Sequence, residues 1–286
     1  MIVGVQKAGT SSVKRYLAEH PSICTHKQGE LAFFVDDNQY KQGYEKAYSR
    51  YFANCTNDES ILLAKNVGVM YLPEAVKRLH HHNPDMQLVV LLRNPVDRAY
   101  SAYWYLRRRG WEDAKTFEEA IAQEPSRLQA GGLKGHHCSY LNRGLYYKQL
   151  EVLLEHFKKE QVHVFLFEEL KSDATSVCSK IVQLFNLDTD FSPEISRRYN
   201  TVATARSQML AQLIAYNNPI KQVVKNLLPY EITLQIKNKL KSLNEKQFSP
   251  PKMNQSTRNE LIDFFKSHNI QLSDLLGVDL SQWNQN

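Results

Sequence analysis

The chain has 286 residues, of which 42% are hydrophobic and 23% charged, with a formal net charge of +6. That composition supports a sizeable core and excludes a disordered, collagen-like or low-complexity chain. The mild basicity fits an anionic small ligand better than a nucleic acid, and the longest apolar run, around Leu88 to Leu92, falls far short of the ~18 residues of a membrane span.

Short apolar runs alternate with amphipathic segments and no repeat is visible, which predicts an α/β fold with a parallel sheet in a single domain over 1–286. Ile2 to Val5 reads as the first strand. Ser11 to Glu19 follows as a helix, with Val13, Tyr16 and Leu17 on one face and His20-Pro21 closing it. Ile61 to Lys65 is the second strand. Gln87 to Leu92 is a third, apolar at every inner position, as a strand covered on both faces should be. Asn94 can cap the next helix, Pro95 suits its first position, and Val96, Ala99, Tyr100, Tyr103 and Trp104 form its stripe.

From Glu112 to His137 the chain turns polar, with Gly131, Gly132 and Gly135, and reads as a mobile connection. A helix resumes near Leu145, Val162 to Phe167 makes a fourth strand, and Ser172 is placed to cap a helix carrying Val177, Ile181 and Leu184. Residues 196–246 are basic and helical in pattern, a subdomain without clear strands. Thr257 to Glu260 reads as a capping box for the last helix.

Four cysteines, Cys24, Cys55, Cys138 and Cys178, lie far apart without a C-x-x-C pair, which argues against zinc and predicts free thiols. Met1 leads directly into Ile2 and Val3 without a charged or apolar leader. Together these favour a cytoplasmic protein, although a lumenal domain trimmed of its leader reads the same way. The sequons at Asn54 and Asn254 match chance frequency. Adjacent His80, His81 and His82 cannot share a helix face, so no metal site is expected there. Arg107 to Arg109 suit a helix C-terminus, and His136 and His137 read as loop residues near an acceptor.

The segment Gly4-Val5-Gln6-Lys7-Ala8-Gly9-Thr10-Ser11 joins the first strand to its helix. Glycines allow close backbone approach, the helix start offers N–H donors, and Lys7 with two hydroxyls adds charge and further donors, so the loop is an anion cradle. It departs from a Walker A loop because Lys7 precedes the second glycine. The strand Gln87 to Leu92 ends in Arg93, where a P-loop NTPase tends to place an Asp for Mg²⁺. Arg93 and Ser101, two turns into the next helix, suit a second anionic group at the carboxyl edge of the sheet.

These two segments, K-x-G-T-S and R-N-P-x-D-R-x-x-S-x-Y, resemble those of the sulfotransferases that use 3′-phosphoadenosine 5′-phosphosulfate (PAPS). The similarity extends to the heparan-sulfate branch and its bacterial relatives: Lys27 to Phe34 looks like its K-E-x-x-F-F segment, Ala64-Lys65-Asn66 like E-K-T, and Leu141 to Tyr146 like L-N-R-G-x-Y. The resemblance implies a three-layer α/β fold with a P-loop-like core and a helical insert near the C-terminus. It further implies PAPS as donor, PAP as product and no metal. It assigns donor binding to Lys7, Ala8, Gly9, Thr10, Ser11, Ser12, Arg93, Ser101, Tyr146 and Lys246, the last in a degenerate K-G-R-x-x-P-x-M loop over 246–253 where Arg206 is the alternative cation.

Catalysis falls to Glu30, Lys7 and Lys65. Val67 stands where cytosolic relatives carry a catalytic histidine, which leaves Glu30 as the base, with His26 the alternative. The expected partner is a glycan or small-molecule acceptor with a hydroxyl or amine, taken by a monomer or homodimer that binds no nucleic acid. A metal-dependent P-loop kinase and a binding module without turnover are the other readings.

Overall fold

A computed structural model describes residues 1–56, 61–188, 191, 193–195, 203–205, 207–215, 239–240 and 243–285. The chain divides into two compact units, one comprising Met1–Asn94, Leu145–Tyr199 and His268–Asp279, the other Pro95–Gly144, Asn200–Ser267 and Leu280–Asn286.

The first unit holds a parallel sheet. Strands β1 (Ile2–Gly4), β4 (Leu88–Leu92) and β5 (Val162–Leu166) pair in the order β1-β4-β5, and β2 (Ile23–Thr25) pairs with β3 (Ile61–Leu63). A parallel bridge between Ile2 and Lys65 joins the two groups. Ile2 N donates to Ala64 O at 2.8 Å and Asn66 N to Ile2 O at 3.0 Å, so the strand order becomes β2-β3-β1-β4-β5. All five β4 residues are fully buried, each side chain contributing about 1.5–3 kcal/mol of apolar burial. This is the continuous apolar strand that the sequence predicts.

Helix α1 (Thr10–Leu17) crosses from β1 toward β2, and α4 (Pro73–His82) crosses the other way, from β3 to β4. Right-handed connections running in opposite directions place these helices on opposite faces of the sheet. Accordingly α1 packs with α11 (Ala174–Leu184), and α4 packs with α9 (Tyr146–His156), giving the expected three layers. The crossover connections change direction between the parallel strands β1 and β4, the point where open α/β sheets take ligands.

Several local expectations change. The strand β2 was hidden in the sequence, and Cys24 on it is bonded to Cys55, with Cα atoms 5.7 Å apart. Free thiols are therefore confined to the buried Cys138 and Cys178, and the cysteine argument for a cytoplasmic setting falls away. Ser172 ends α10 (Phe167–Ser172); Asp173 caps α11 by accepting from Ser176 N.

In the second unit, α5 (Pro95–Arg109) leads into a segment that is helical where a mobile loop is predicted: α6 (Phe117–Ala122), α7 (Glu124–Ala130) and α8 (Gly132–His137). A buried ion pair organises it. Arg127 donates both Nη groups to Glu112, at 2.6 and 2.8 Å, and Tyr140 Oη donates to the same carboxylate at 2.6 Å. Glu124 accepts the backbone N–H groups of Tyr140, Leu141 and Asn142 at 2.7–2.8 Å. Strands also appear within 196–246, where none is predicted: β6 (Ala203–Ala205) pairs antiparallel with β7 (Glu245–Gln247), ahead of α12 (Gln208–Ala215) and after it in sequence respectively. Helix α13 (Gln255–Leu276) starts before Thr257, whose hydroxyl donates to Glu118 at 2.8 Å and caps nothing.

Candidate active site

The loop after β1 is shaped by two left-handed residues, Lys7 (φ 73°) and Gly9 (φ 82°). A Cβ at Gly9 would lie 2.5 Å from Leu170 Cδ2, so both the left-handed backbone and the space favour glycine. Gly9 O accepts from Ser12 N and Val13 N at 2.9 and 3.1 Å, which starts α1 directly beneath the loop. Ala8, Thr10 and Ser12 are buried, Ser11 is exposed, and Lys7 and Gly9 are half-buried.

Arg93, just past β4, meets this loop. Its Nη1 donates to Lys7 O at 3.0 Å and its guanidinium lies over the Phe167 ring at 4.6 Å. Tyr146, buried on the first turn of α9, donates its hydroxyl to Arg93 O at 2.9 Å. A lysine, an arginine and a helix N-terminus thus converge at the carboxyl ends of β1 and β4, an arrangement suited to anions.

The second cluster lies past β3. Lys65 Nζ donates to Glu30 Oε1, and Glu30 Oε2 accepts from Val67 N at 3.1 Å. The Lys65 side chain is 2% exposed and that of Glu30 41%. The carboxylate is therefore held from the protein side and open on the other, with lone pairs left to accept a proton. His26 is instead enclosed. It is 2% exposed, and burial lowers its pKa to about 4, helped by the Lys14 and Lys65 charges and opposed by backbone hydrogen bonds to Gln28 and Lys65. A base that weak and that buried serves poorly for an external acceptor.

The sulfotransferase domain signature matches residues 1–224. The chain belongs to this family. It is 26% identical over 301 residues to the human bifunctional heparan sulfate N-deacetylase/N-sulfotransferase 3, covering 99% of this chain but only 30% of that enzyme. Heparan sulfate glucosamine 3-O-sulfotransferase 5 of Mus musculus is 26% identical over 202 residues, 70% of this chain and 55% of its own. Among solved structures, a sulfotransferase from Alicyclobacillus acidocaldarius superimposes with a TM-score of 0.72 at 27% identity, covering 99% and 97% of the two chains.

The remaining residues expected of a sulfotransferase fall in the second unit. Ser101 is half-buried on α5. Lys246 lies on β7, its backbone opposite Thr204, and Arg206 falls outside the described residues. His137 is half-buried against Trp111, ring centroids 4.6 Å apart, and desolvation lowers its pKa to about 4, with Arg143, His136 and Arg109 adding to the effect. Arg109 packs over Tyr105 and Trp111, and Arg107 donates to Ala114 O at 2.5 Å, structural roles both. In the first unit, His80 and His82 pack against aromatic rings. Sequence reasoning missed Lys14. It lies on the same helix face as Leu17 and Thr10, an i, i+3, i+4 relation that marked it as inward-facing.

Proposed function

We propose that this domain transfers the sulfuryl group of PAPS to a hydroxyl or amine of a carbohydrate or small-molecule acceptor. The observation that carries the reading is the meeting of Arg93 with the Lys7 loop at the β1–β4 switch in crossover direction, beside a carboxylate braced by a buried lysine. The cationic and N–H donors there fit a nucleotide bearing separated anionic groups: Lys7 and the start of α1 would hold the 5′-phosphosulfate and Arg93 the 3′-phosphate, a role the family resemblance also gives Ser101. Bound there, PAPS supplies the sulfuryl group and PAP as its leaving group.

Glu30 accepts the proton that the acceptor releases, through the lone pairs that Lys65 and Val67 leave over. Lys7 and Lys65 offset negative charge that builds during transfer, and Tyr146 fixes the backbone of Arg93. Positioning and charge do most of the work, as in the related phosphoryl transfers. The relatives named for heparan sulfate support a sugar as acceptor. One catalytic domain is supported by the family signature, which runs through parts of both units.

Titration calorimetry with PAP, ADP and AMP, without added metal, tests the donor site. Micromolar PAP binding with much weaker AMP binding is expected, followed by EDTA-insensitive PAPS consumption with hydroxyl or amine acceptors. Equal affinity for PAP and AMP refutes the donor assignment.

A further inference from the structure

Behind the Glu30–Lys65 pair lies a buried trio that the proposed reaction does not use: Lys14 on α1, His26 just past β2, and the backbone of Lys65 just past β3. Lys14 is 8% exposed. Its Nζ lies 3.1 Å from His26 Nδ1 and 2.9 Å from Gln28 O, and it also contacts His26 O. The other ring nitrogen, His26 Nε2, is 3.1 Å from Lys65 N.

Hydrogen-bond accounting fixes the protons. A backbone N–H can only donate, so Nε2 must offer its lone pair to Lys65 N. A neutral imidazole with a bare Nε2 carries its hydrogen on Nδ1, and that N–H faces Lys14 Nζ. An ammonium has three donors and no acceptor, so a charged Lys14 would oppose one donor with another. Moving the ring hydrogen to Nε2 only transfers the conflict to Lys65 N–H. An uncharged amine resolves it, with two N–H groups for the two carbonyls and one lone pair for Nδ1–H.

We infer that in mildly alkaline solution Lys14 stands as an uncharged amine and acts as a positioning residue, fixing through the His26 ring the backbone that carries Lys65. Its two bonds to carbonyls also tie the segment leading to Glu30 onto the helix of the anion loop. The electrostatics favour the amine above about pH 8 and the ammonium below it. Burial lowers the Lys14 pKa to about 8, with Lys65 and Arg15 adding to the shift and Glu30 opposing it. Those charges and His26 are the titratable groups facing the amine. On the far side of the ring stand Phe52 and Tyr51, whose hydroxyl donates to Gln39. As pH falls through about 8, Lys14 gains a proton while His26 remains neutral. The ring must then accept at Nδ1, and Lys65 N–H loses its acceptor.

The positioning role rests on the sulfuryl-transfer reading, whereas the protonation assignment does not, so the experiment has two arms. In the first, long-range ¹H–¹⁵N NMR of ring-labelled histidine reports the tautomer; at pH 9 His26 is expected with Nδ1 protonated and Nε2 bare, and a ring protonated at Nε2 overturns the assignment. In the second, Lys14→Gln, which keeps two donors and an acceptor, is compared with Lys14→Arg, a permanent cation without one. Lys14→Arg should show the Nε2–H ring and about 10-fold lower kcat than Lys14→Gln, with KM for PAPS unchanged. An arginine that rescues as well as or better than glutamine refutes the positioning role. Absence of transfer by the unsubstituted protein refutes the reaction but leaves the NMR result standing.

Discussion

Replacing Glu30 by Gln removes one charge while keeping the shape of the side chain. In the native site the carboxylate accepts from Lys65 Nζ and Val67 N together. A Gln amide has one acceptor oxygen and one donor nitrogen, so it satisfies one of these donors and turns a second donor toward the other. Losing a partner of a fully buried ion pair costs about 3–5 kcal/mol. Here the Glu30 side chain is 41% exposed, so water reaches the vacated side and the cost falls to about 1–2 kcal/mol. A folded protein with a modestly lower melting temperature is the expected result. Turnover should fall much further, by about 100-fold or more, because the amide cannot take the acceptor proton at neutral pH. Calorimetry with PAP and initial rates of PAP release from PAPS measure the two effects separately. Unchanged PAP affinity with collapsed kcat fits a base. Undiminished kcat removes Glu30 from proton transfer, and lost PAP affinity moves it into the donor site.

Arg93→Ala deletes the bond to Lys7 O and, on the proposed donor site, a charge-assisted contact to phosphate that would be worth about 1.5–3 kcal/mol. PAP should bind roughly 10- to 100-fold more weakly by calorimetry and AMP almost as before; an equal loss for both would refute a 3′-phosphate role. Replacing Cys24 and Cys55 together by Ala opens a closure spanning 31 residues, and chain entropy predicts about 3–4 kcal/mol lower stability. Urea unfolding under non-reducing conditions checks this, and an unchanged midpoint would count against the bond. His26 makes stability depend on pH. Its pKa is lowered from 6.5 to about 4 in the fold, so between those values the unfolded chain binds more protons and stability falls as pH is lowered, by at most about 3 kcal/mol. Melting temperature should drop from pH 6.5 to 4 and do so less in His26→Gln; parallel curves would refute the assignment.

What the sequence displays and what it hides follow from range. The Gln87 to Leu92 run declares a buried strand because every inner residue is apolar, and Gly9 with Lys7 announces the tight turn between β1 and α1 because its signal lies within three residues. Ile23–Thr25 is only three residues long and borrows its strand character from pairing with Ile61–Leu63, about 40 positions away. The 112–137 segment conceals its order for a similar reason, since the Glu112–Arg127 pair exists only after folding. A local signal was nevertheless available there: Thr116 accepts from Glu119 N in a T-x-x-E pattern that caps α6. At the site, Glu30 and Lys65 were legible through resemblance. Lys14 was legible only in its face, through its spacing to Thr10 and Leu17; the partners that make a buried lysine tolerable there lie in other elements.

The Cys24–Cys55 bond has a consequence for how such a domain diversifies. It closes a covalent ring whose base is β2 and whose perimeter carries His26 and Glu30 near one end and helices α2 (Asp37–Lys41) and α3 (Tyr44–Tyr51) beyond them. A ring with both ends pinned tolerates insertions and substitutions along its far side at small entropic cost, since closure grows only with the logarithm of length. On the proposed reaction, substitutions at the outward positions 41–43, 45 and 46 leave the Glu30 carboxylate anchored by Lys65 and Val67 and the packing of Tyr51 and Phe52 on His26 undisturbed, letting acceptor range drift while the proposed base keeps its place.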